Sequence, residues 1–135
     1  VINTESLLDQ LGKSVSSAGD VNGDGLADLI VGAPYADPNG ETDAGSSYVV
    51  FGTTDTSAIE LSAVAAGSGG FIINGQTYLD YSGQSVSSAG DVNADGLADL
   101  IVGAPSIPIF QFRGCPSGRN KVNCRRSTTM SWIRS

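Results

Sequence analysis

The sequence predicts an all-β protein built from repeated antiparallel sheets, and three observations predict it. Residues 1–34 align without a gap on residues 72–105, with 25 of the 34 pairs identical, so the chain repeats itself with a period of 71 residues. Its apolar runs are short and β-prone, as in Leu29-Ile-Val31, Ser47-Tyr-Val-Val-Phe51 and Phe71-Ile-Ile-Asn74, with no sustained helical spacing. Glycine, proline, Asn and Asp punctuate those runs, as turn formers do between strands. Four strands per repeat at such a period describe the blades of a radial β-propeller, which typically closes with about four to eight blades, so the parent domain would span roughly 300–570 residues. The chain is accordingly expected to form an incomplete β-propeller: one four-stranded blade, part of a second, and an irregular C-terminal tail.

Each element has its own reason. Residues 1–12 read as the end of a preceding blade and a connector, because Val1-Ile-Asn3 matches Ile72-Ile-Asn74. Residues 13–83 form the complete blade. Within it Ser14-Val-Ser-Ser-Ala-Gly19 alternates small polar and apolar residues, and Leu29-Ile-Val31, bounded by Gly32 and Pro34, reads as a buried strand. The segment Asp37 to Gly45 is dense in turn formers and reads as a long solvated connection, its Asp37, Glu41 and Asp43 included. Ser47 to Phe51 and Phe71 to Asn74 complete the sheet, with Tyr48, Phe51 and Phe71 expected in the core, and Ala58 to Gly70 is a looser link. Residues 84–105 begin a second blade. Residues 106–135 differ from all that precedes them and read as a basic tail, non-native or disordered.

Between the first two strands of each copy stands Asp20-Val-Asn-Gly-Asp-Gly-Leu-Ala-Asp28, and again Asp91-Val-Asn-Ala-Asp-Gly-Leu-Ala-Asp99. Oxygen-bearing side chains occupy loop positions 1, 3, 5 and 9, namely Asp20, Asn22, Asp24 and Asp28, then Asp91, Asn93, Asp95 and Asp99. A hard cation such as Ca²⁺ takes six to eight oxygens at about 2.3–2.6 Å, and alternate residues of a tight loop can aim theirs at one centre. Gly25 and Gly96 permit the turn. The helix–loop–helix calcium motif shares this beginning but carries a Glu at position 12, where this chain has Val31 or Val102. Two calcium sites between strands are therefore expected, each needing its ion to hold three mutually repelling carboxylates together. An ordinary Asx-rich turn is the plainer reading, and two loops with the same five positions disfavour it.

Charge divides the chain. Residues 1–105 hold one basic and fourteen acidic residues, a net −13, whereas residues 106–135 hold six basic and no acidic ones, a net +6, which together give −7. The acidic part lacks the clustered Lys and Arg that phosphate binding requires, which argues against nucleic acid as its partner. The chain has no histidine, which counts against Ser-His-Asp hydrolysis and typical zinc catalysis. No run approaches the roughly 18 apolar residues of a membrane span. Cys115 and Cys124 are the only cysteines and match no common zinc spacing.

These residues resemble the FG-GAP repeats of the integrin α-chain β-propeller and their bacterial relatives. The likeness covers residues 1–105 and is carried by Gly19-Asp-Val-Asn-Gly-Asp-Gly25, Asp28-Leu-Ile-Val-Gly-Ala-Pro34, Tyr48-Val-Val-Phe-Gly52 and the second copy up to Gly103-Ala-Pro105. The Phe-Gly that opens a typical repeat is Leu11-Gly12 in one copy and Ser82-Gly83 in the other. The resemblance implies that Asp20, Asn22, Asp24 and Asp28 bind one Ca²⁺ with the backbone carbonyl of Leu26. It implies the same of Asp91, Asn93, Asp95, Asp99 and Leu97.

The function expected is a calcium-binding extracellular or cell-surface repeat module, structural or adhesive and without catalysis. Its parent propeller would recognise a protein or carbohydrate ligand, and open strand edges would favour self-association. Two alternatives are an accessory propeller fragment of a larger secreted hydrolase and a non-functional truncated gene product.

Overall fold

The computed structural model describes residues 9–105 in full, together with the backbone of residues 2–3 and 131–133. In chain order the strands are β1 (Ile2–Asn3), β2 (Ser14–Gly19), β3 (Asp28–Ala33), β4 (Ser46–Val50), β5 (Ile59–Glu60), β6 (Gly70–Asn74), β7 (Ser85–Gly90), β8 (Asp99–Gly103) and β9 (Ser131–Ile133). A short helix, α1 (Leu61–Ala65), follows β5 directly.

The first blade is the four-stranded antiparallel sheet β2-β3-β4-β6. Its hairpin β2–β3 pairs Val15 with Val31 and Ser17 with Leu29, then shifts register so that Gly19 faces Asp28. That bulge carries the chain out of β2 and into the Asp loop. In β7–β8 the same hairpin recurs with the same shift, Ser88 facing Leu100 and Gly90 facing Asp99. Identical sequence has produced identical local geometry.

Alternation along β3 gives the sheet two faces. On one face Ala18, Val21, Ile30, Val49 and Ile73 pack against Leu100 and Val102 of the second blade. Phe51 and Phe71 close that cluster, their rings edge to face with centroids 6.0 Å apart. On the opposite face Ala33, Tyr48 and Val50 meet Leu61 and Val64, the two buried residues of α1, which lie one helical turn apart. Fully burying one such aliphatic side chain is worth about 1.5–3 kcal/mol, so the two clusters account for the sheet's cohesion.

Several expectations are corrected by this arrangement. Leu29, read from its run as buried, is 48% exposed at the edge of the second face, because α1 covers only the β4–β6 side. The link Ala58 to Gly70 is not featureless: it holds β5 and α1. Separately, Ile2–Asn3, which the repeat aligns with Ile73–Asn74 of β6, pairs in parallel with Ile59–Glu60. In the tail, Ser131–Ile133 forms a third strand on β8, matching Leu100 with Ile133 and Val102 with Ser131. In the first blade Leu29 matches Val50 and Val31 matches Tyr48, so β9 occupies the β4 position in the same register. The rest of the tail, Cys115 and Cys124 included, lies outside the described residues.

Gly23 and Ala94 are the one mismatch between residues 14–34 and 85–105, and both sit in left-handed backbone, at φ +78° and +62°. That conformation costs an L-residue with a side chain roughly 1–2 kcal/mol, and glycine nothing comparable. Ala94→Gly is expected to raise stability by about 1 kcal/mol and Gly23→Ala to lower it by at least as much, since a Cβ there would also lie 3.2 Å from Leu97 Cδ2. Urea unfolding midpoints of the two variants check both signs.

Candidate metal centre

Each Asp loop is built around its first residue. Asp20 collects backbone N–H groups: Gly23 and Asp24 donate to its Oδ1 at 2.7 and 3.1 Å, and Gly25 donates to its Oδ2 at 2.9 Å. Asn22 Oδ1 accepts the Asp24 N–H at 2.9 Å, and Asp24 Oδ1 accepts the Leu26 N–H at 2.8 Å, two successive Asx turns. Asn22 Nδ2 donates to Asp24 Oδ2 at 2.9 Å. The second loop repeats this, with Asp91 accepting from Asp95 and Gly96, Asn93 from Asp95, and Asp95 from Leu97. Position 6 is glycine both times because the chain turns back there, with φ +83° at Gly25 and +91° at Gly96.

The ninth residue stands apart. Asp28 is fully buried, and each of its oxygens accepts one backbone N–H, Oδ2 from Val21 at 2.8 Å and Oδ1 from Gly52 at 2.7 Å. One carboxylate thus ties the loop's entry, the start of β3 and the residue beyond β4. Gly52 can reach it only because it lacks a side chain: a Cβ there would lie 2.6 Å from the Ala27 carbonyl oxygen. Asp99 accepts the Val92 N–H at 2.8 Å in the same way, but its buried Oδ1 has no hydrogen-bond partner among the described residues. By the register of β9 the residue matching Gly52 is Ser135, outside the described residues.

Among the described residues no group of three or more Asp, Glu, His or Cys side chains could by itself hold a metal ion, so Asn22, Asn93 and the backbone carbonyls would have to complete any such site. Backbone N–H dipoles, not a convergent acid cluster, shape the loop. The donor set nevertheless fits a hard cation. Asp20, Asn22 and Asp24 offer only oxygen ligands apart from one amide nitrogen, and the Leu26 carbonyl lies in the same loop. A carboxylate oxygen that accepts one N–H keeps a second lone pair for a metal.

Sequence reasoning named Asp28 for its oxygen but missed Gly52 as its partner. The signal was present in the Phe51-Gly52 that ends the third strand's run. It also missed a cleft of about 450 Å³ beside β4, between Phe51, Thr53, Asp55, Glu60, Val64 and Ser68. There the Ser57 hydroxyl and N–H bind Asp55 and hold its carboxyl below the usual carboxylate range. No motif marks that cleft.

Comparison with known proteins decides the family. The FG-GAP repeat model matches residues 12–50 and 82–106, the two stretches that contain the Asp loops and their flanking strands. This chain is an FG-GAP repeat protein of the integrin alpha-like type. Integrin alpha pat-2 of Caenorhabditis briggsae is 36% identical to it over 101 residues, which span 70% of this chain and 7% of that protein. Integrin alpha-3 of Cricetulus griseus is 35% identical over 92 residues, 68% of this chain and 8% of the relative. Integrin alpha-PS2 of Drosophila melanogaster is 34% identical over 109 residues, 73% of this chain and 7% of the relative. The FG-GAP chain thus spans less than a tenth of the length of these relatives. Its all-β fold is that of a partial propeller: one complete blade and part of the next. No helix among the described residues is long and apolar enough to cross a membrane.

Proposed function

We propose that this FG-GAP chain is a calcium-stabilised repeat module that serves adhesion or surface recognition outside the cell, without catalysis. The observation that carries the reading is the pair of oxygen-rich Asp loops, equal in spacing and sharing the same Asx turns, 71 residues apart. Ca²⁺ would be held by Asp20, Asn22, Asp24, Asp28 and the Leu26 carbonyl, and by Asp91, Asn93, Asp95, Asp99 and the Leu97 carbonyl. The ion would supply positive charge beside carboxylates that also accept backbone N–H groups. Asp20 and Asp91 organise the turn, Asn22 and Asn93 set the approach of Asp24 and Asp95, and buried Asp28 anchors the loop to its blade. Since the ligands have to close on the ion, affinity belongs in the range of extracellular calcium modules, about 10⁻⁴–10⁻³ M. The adhesive role draws support from the relatives, all named integrin alpha chains. A protein or carbohydrate ligand would meet the parent propeller at loops other than these.

Calorimetric titration of the full chain with CaCl₂ tests the metal reading. Two sites are expected for the native chain and one each for Asp24→Ala and Asp95→Ala. A native chain that takes up no calcium at millimolar concentrations would refute it.

A further inference from the structure

The two Asp loops differ in one residue, and that residue decides a covalent fate. Asn22 is followed by Gly23, and its counterpart Asn93 by Ala94. A peptide nitrogen that follows an asparagine can attack the side-chain carboxamide and close a cyclic imide. A Cβ on the residue that carries the nitrogen crowds this approach, and glycine has none. Both pairs are exposed and stand at the same place in the same turn, with Gly23 and Ala94 both in left-handed backbone. The second loop is therefore an internal control for the first.

Hydrogen bonding separates the loops further. The Gly23 N–H donates to Asp20 Oδ1 at 2.7 Å, so a carboxylate already stands on the nitrogen that has to lose its proton. In the second loop Asp91 accepts from Asp95 and Gly96, and among the described residues no bond joins it to the Ala94 N–H. The Asn22 carboxamide is also prepared: its Oδ1 accepts the Asp24 N–H at 2.9 Å, a donor placed where negative charge develops when the carbonyl is attacked. Two further Asn-Gly pairs have their glycine N–H bound by a backbone carbonyl instead of a carboxylate. Gly75 donates to Gly45 at 2.7 Å, with the Asn74 side chain held by the Ser46 hydroxyl, and Gly40 donates to Asp37 at 3.2 Å.

We propose that Asn22 is a site of spontaneous deamidation and that Ala94 spares the equivalent Asn93. The Gly23 nitrogen bonds to Asn22 Cγ as its proton passes to the Asp20 carboxylate. The Cγ–Nδ2 bond then breaks, and Nδ2 leaves as ammonia with that proton. Water adds to one of the two imide carbonyls, and ring opening yields aspartate or isoaspartate. Either product removes the Nδ2 donor that now binds Asp24 Oδ2 at 2.9 Å and sets a new carboxylate beside Asp24. Isoaspartate also adds a carbon to the main chain inside the turn. The first loop thus ages while the second, otherwise alike, does not. The conversion depends on the loop's own groups and not on the calcium reading.

Timed incubation of the full chain in neutral buffer with excess chelator, followed by peptide mapping with mass spectrometry, provides the test. Conversion at Asn22 is expected to run on the order of 10-fold faster than at Asn93, the factor that about 1.4 kcal/mol of barrier makes in a rate. Gly23→Ala should bring Asn22 down to the rate of Asn93, and Ala94→Gly should raise Asn93 above its native rate. Equal rates at Asn22 and Asn93 in the native chain overturn the proposal. So does a Gly23→Ala chain in which Asn22 converts as fast as before. Far-ultraviolet circular dichroism establishes that each variant is folded, and Ala94→Gly, which relieves strain instead of adding it, carries the test if Gly23→Ala is not. Asn39 serves as the reference for the role of Asp20: Asn22 should outpace it in the folded chain and match it in urea. Equal rates for the two in the folded chain overturn that role.

Discussion

Replacing Asp28 with Ala is expected to lower the unfolding free energy by about 3–5 kcal/mol, the range seen when one partner of a buried charged network is removed. The carboxylate is fully buried and is the acceptor for two backbone N–H groups, at Val21 and Gly52. Truncation leaves both donors out of water with nothing to bond, and it severs the connection between the Asp loop and the end of β4. Asp28→Asn should be intermediate, since a carboxamide presents one acceptor where two are required. Asp99→Ala should cost less than Asp28→Ala, because Asp99 accepts only the Val92 N–H among the described residues and its other oxygen has no partner to lose. Equilibrium urea unfolding of the three variants measures the ordering, and equal losses at Asp28 and Asp99 would contradict it.

The second large effect concerns calcium. A ligand that binds only the folded state stabilises it by RT ln(1 + [L]/Kd), so calcium at 10 to 100 times Kd contributes about 1.4–2.7 kcal/mol per loop. With both loops filled, the native chain should unfold several degrees higher in calcium than in excess chelator. Asp24→Ala should lose about half of that difference and Asp24→Ala with Asp95→Ala all of it. Neither aspartate is buried, so the variants remove a ligand without opening the core. Thermal melts followed by circular dichroism read the difference directly, and an unchanged native midpoint would remove the structural role assigned to the ion.

Much of this was legible in the sequence because it depends on local pattern. The repeat fixed the blade's strands, and turn chemistry placed the Asp loop between β2 and β3. What remained hidden depends on neighbours far along the chain. Leu29 and Leu100 stand in identical sequence, yet one is half exposed and the other buried, because burial is decided by which sheet lies opposite. Asp28 is indistinguishable in sequence from a plain ligand; only the fold brings Gly52 to it across 24 residues. Helix α1 is five residues long, too short for its apolar spacing to emerge from a Ser- and Gly-rich link. The β9 pairing was illegible for a different reason: Ser131-Trp-Ile133 has no likeness to Tyr48-Val-Val50, and its register is set by the backbone ladder of β8.

Two hairpins with nearly the same sequence and the same register also share a folding problem. While the chain is unfolded, β7–β8 can offer β4 the same ladder that β2–β3 offers, so the native and exchanged pairings compete on almost equal local terms. Connectivity breaks the tie. β3 and β4 are separated by residues 34–45, whereas β4 and β8 are separated by residues 51–98, so closing the exchanged pairing costs more loop entropy. The bond from Gly52 to Asp28 then forms within the correctly paired blade. The duplication that braces this chain therefore also exposes it to exchange between hairpins, within one molecule or between two, whenever many copies fold together.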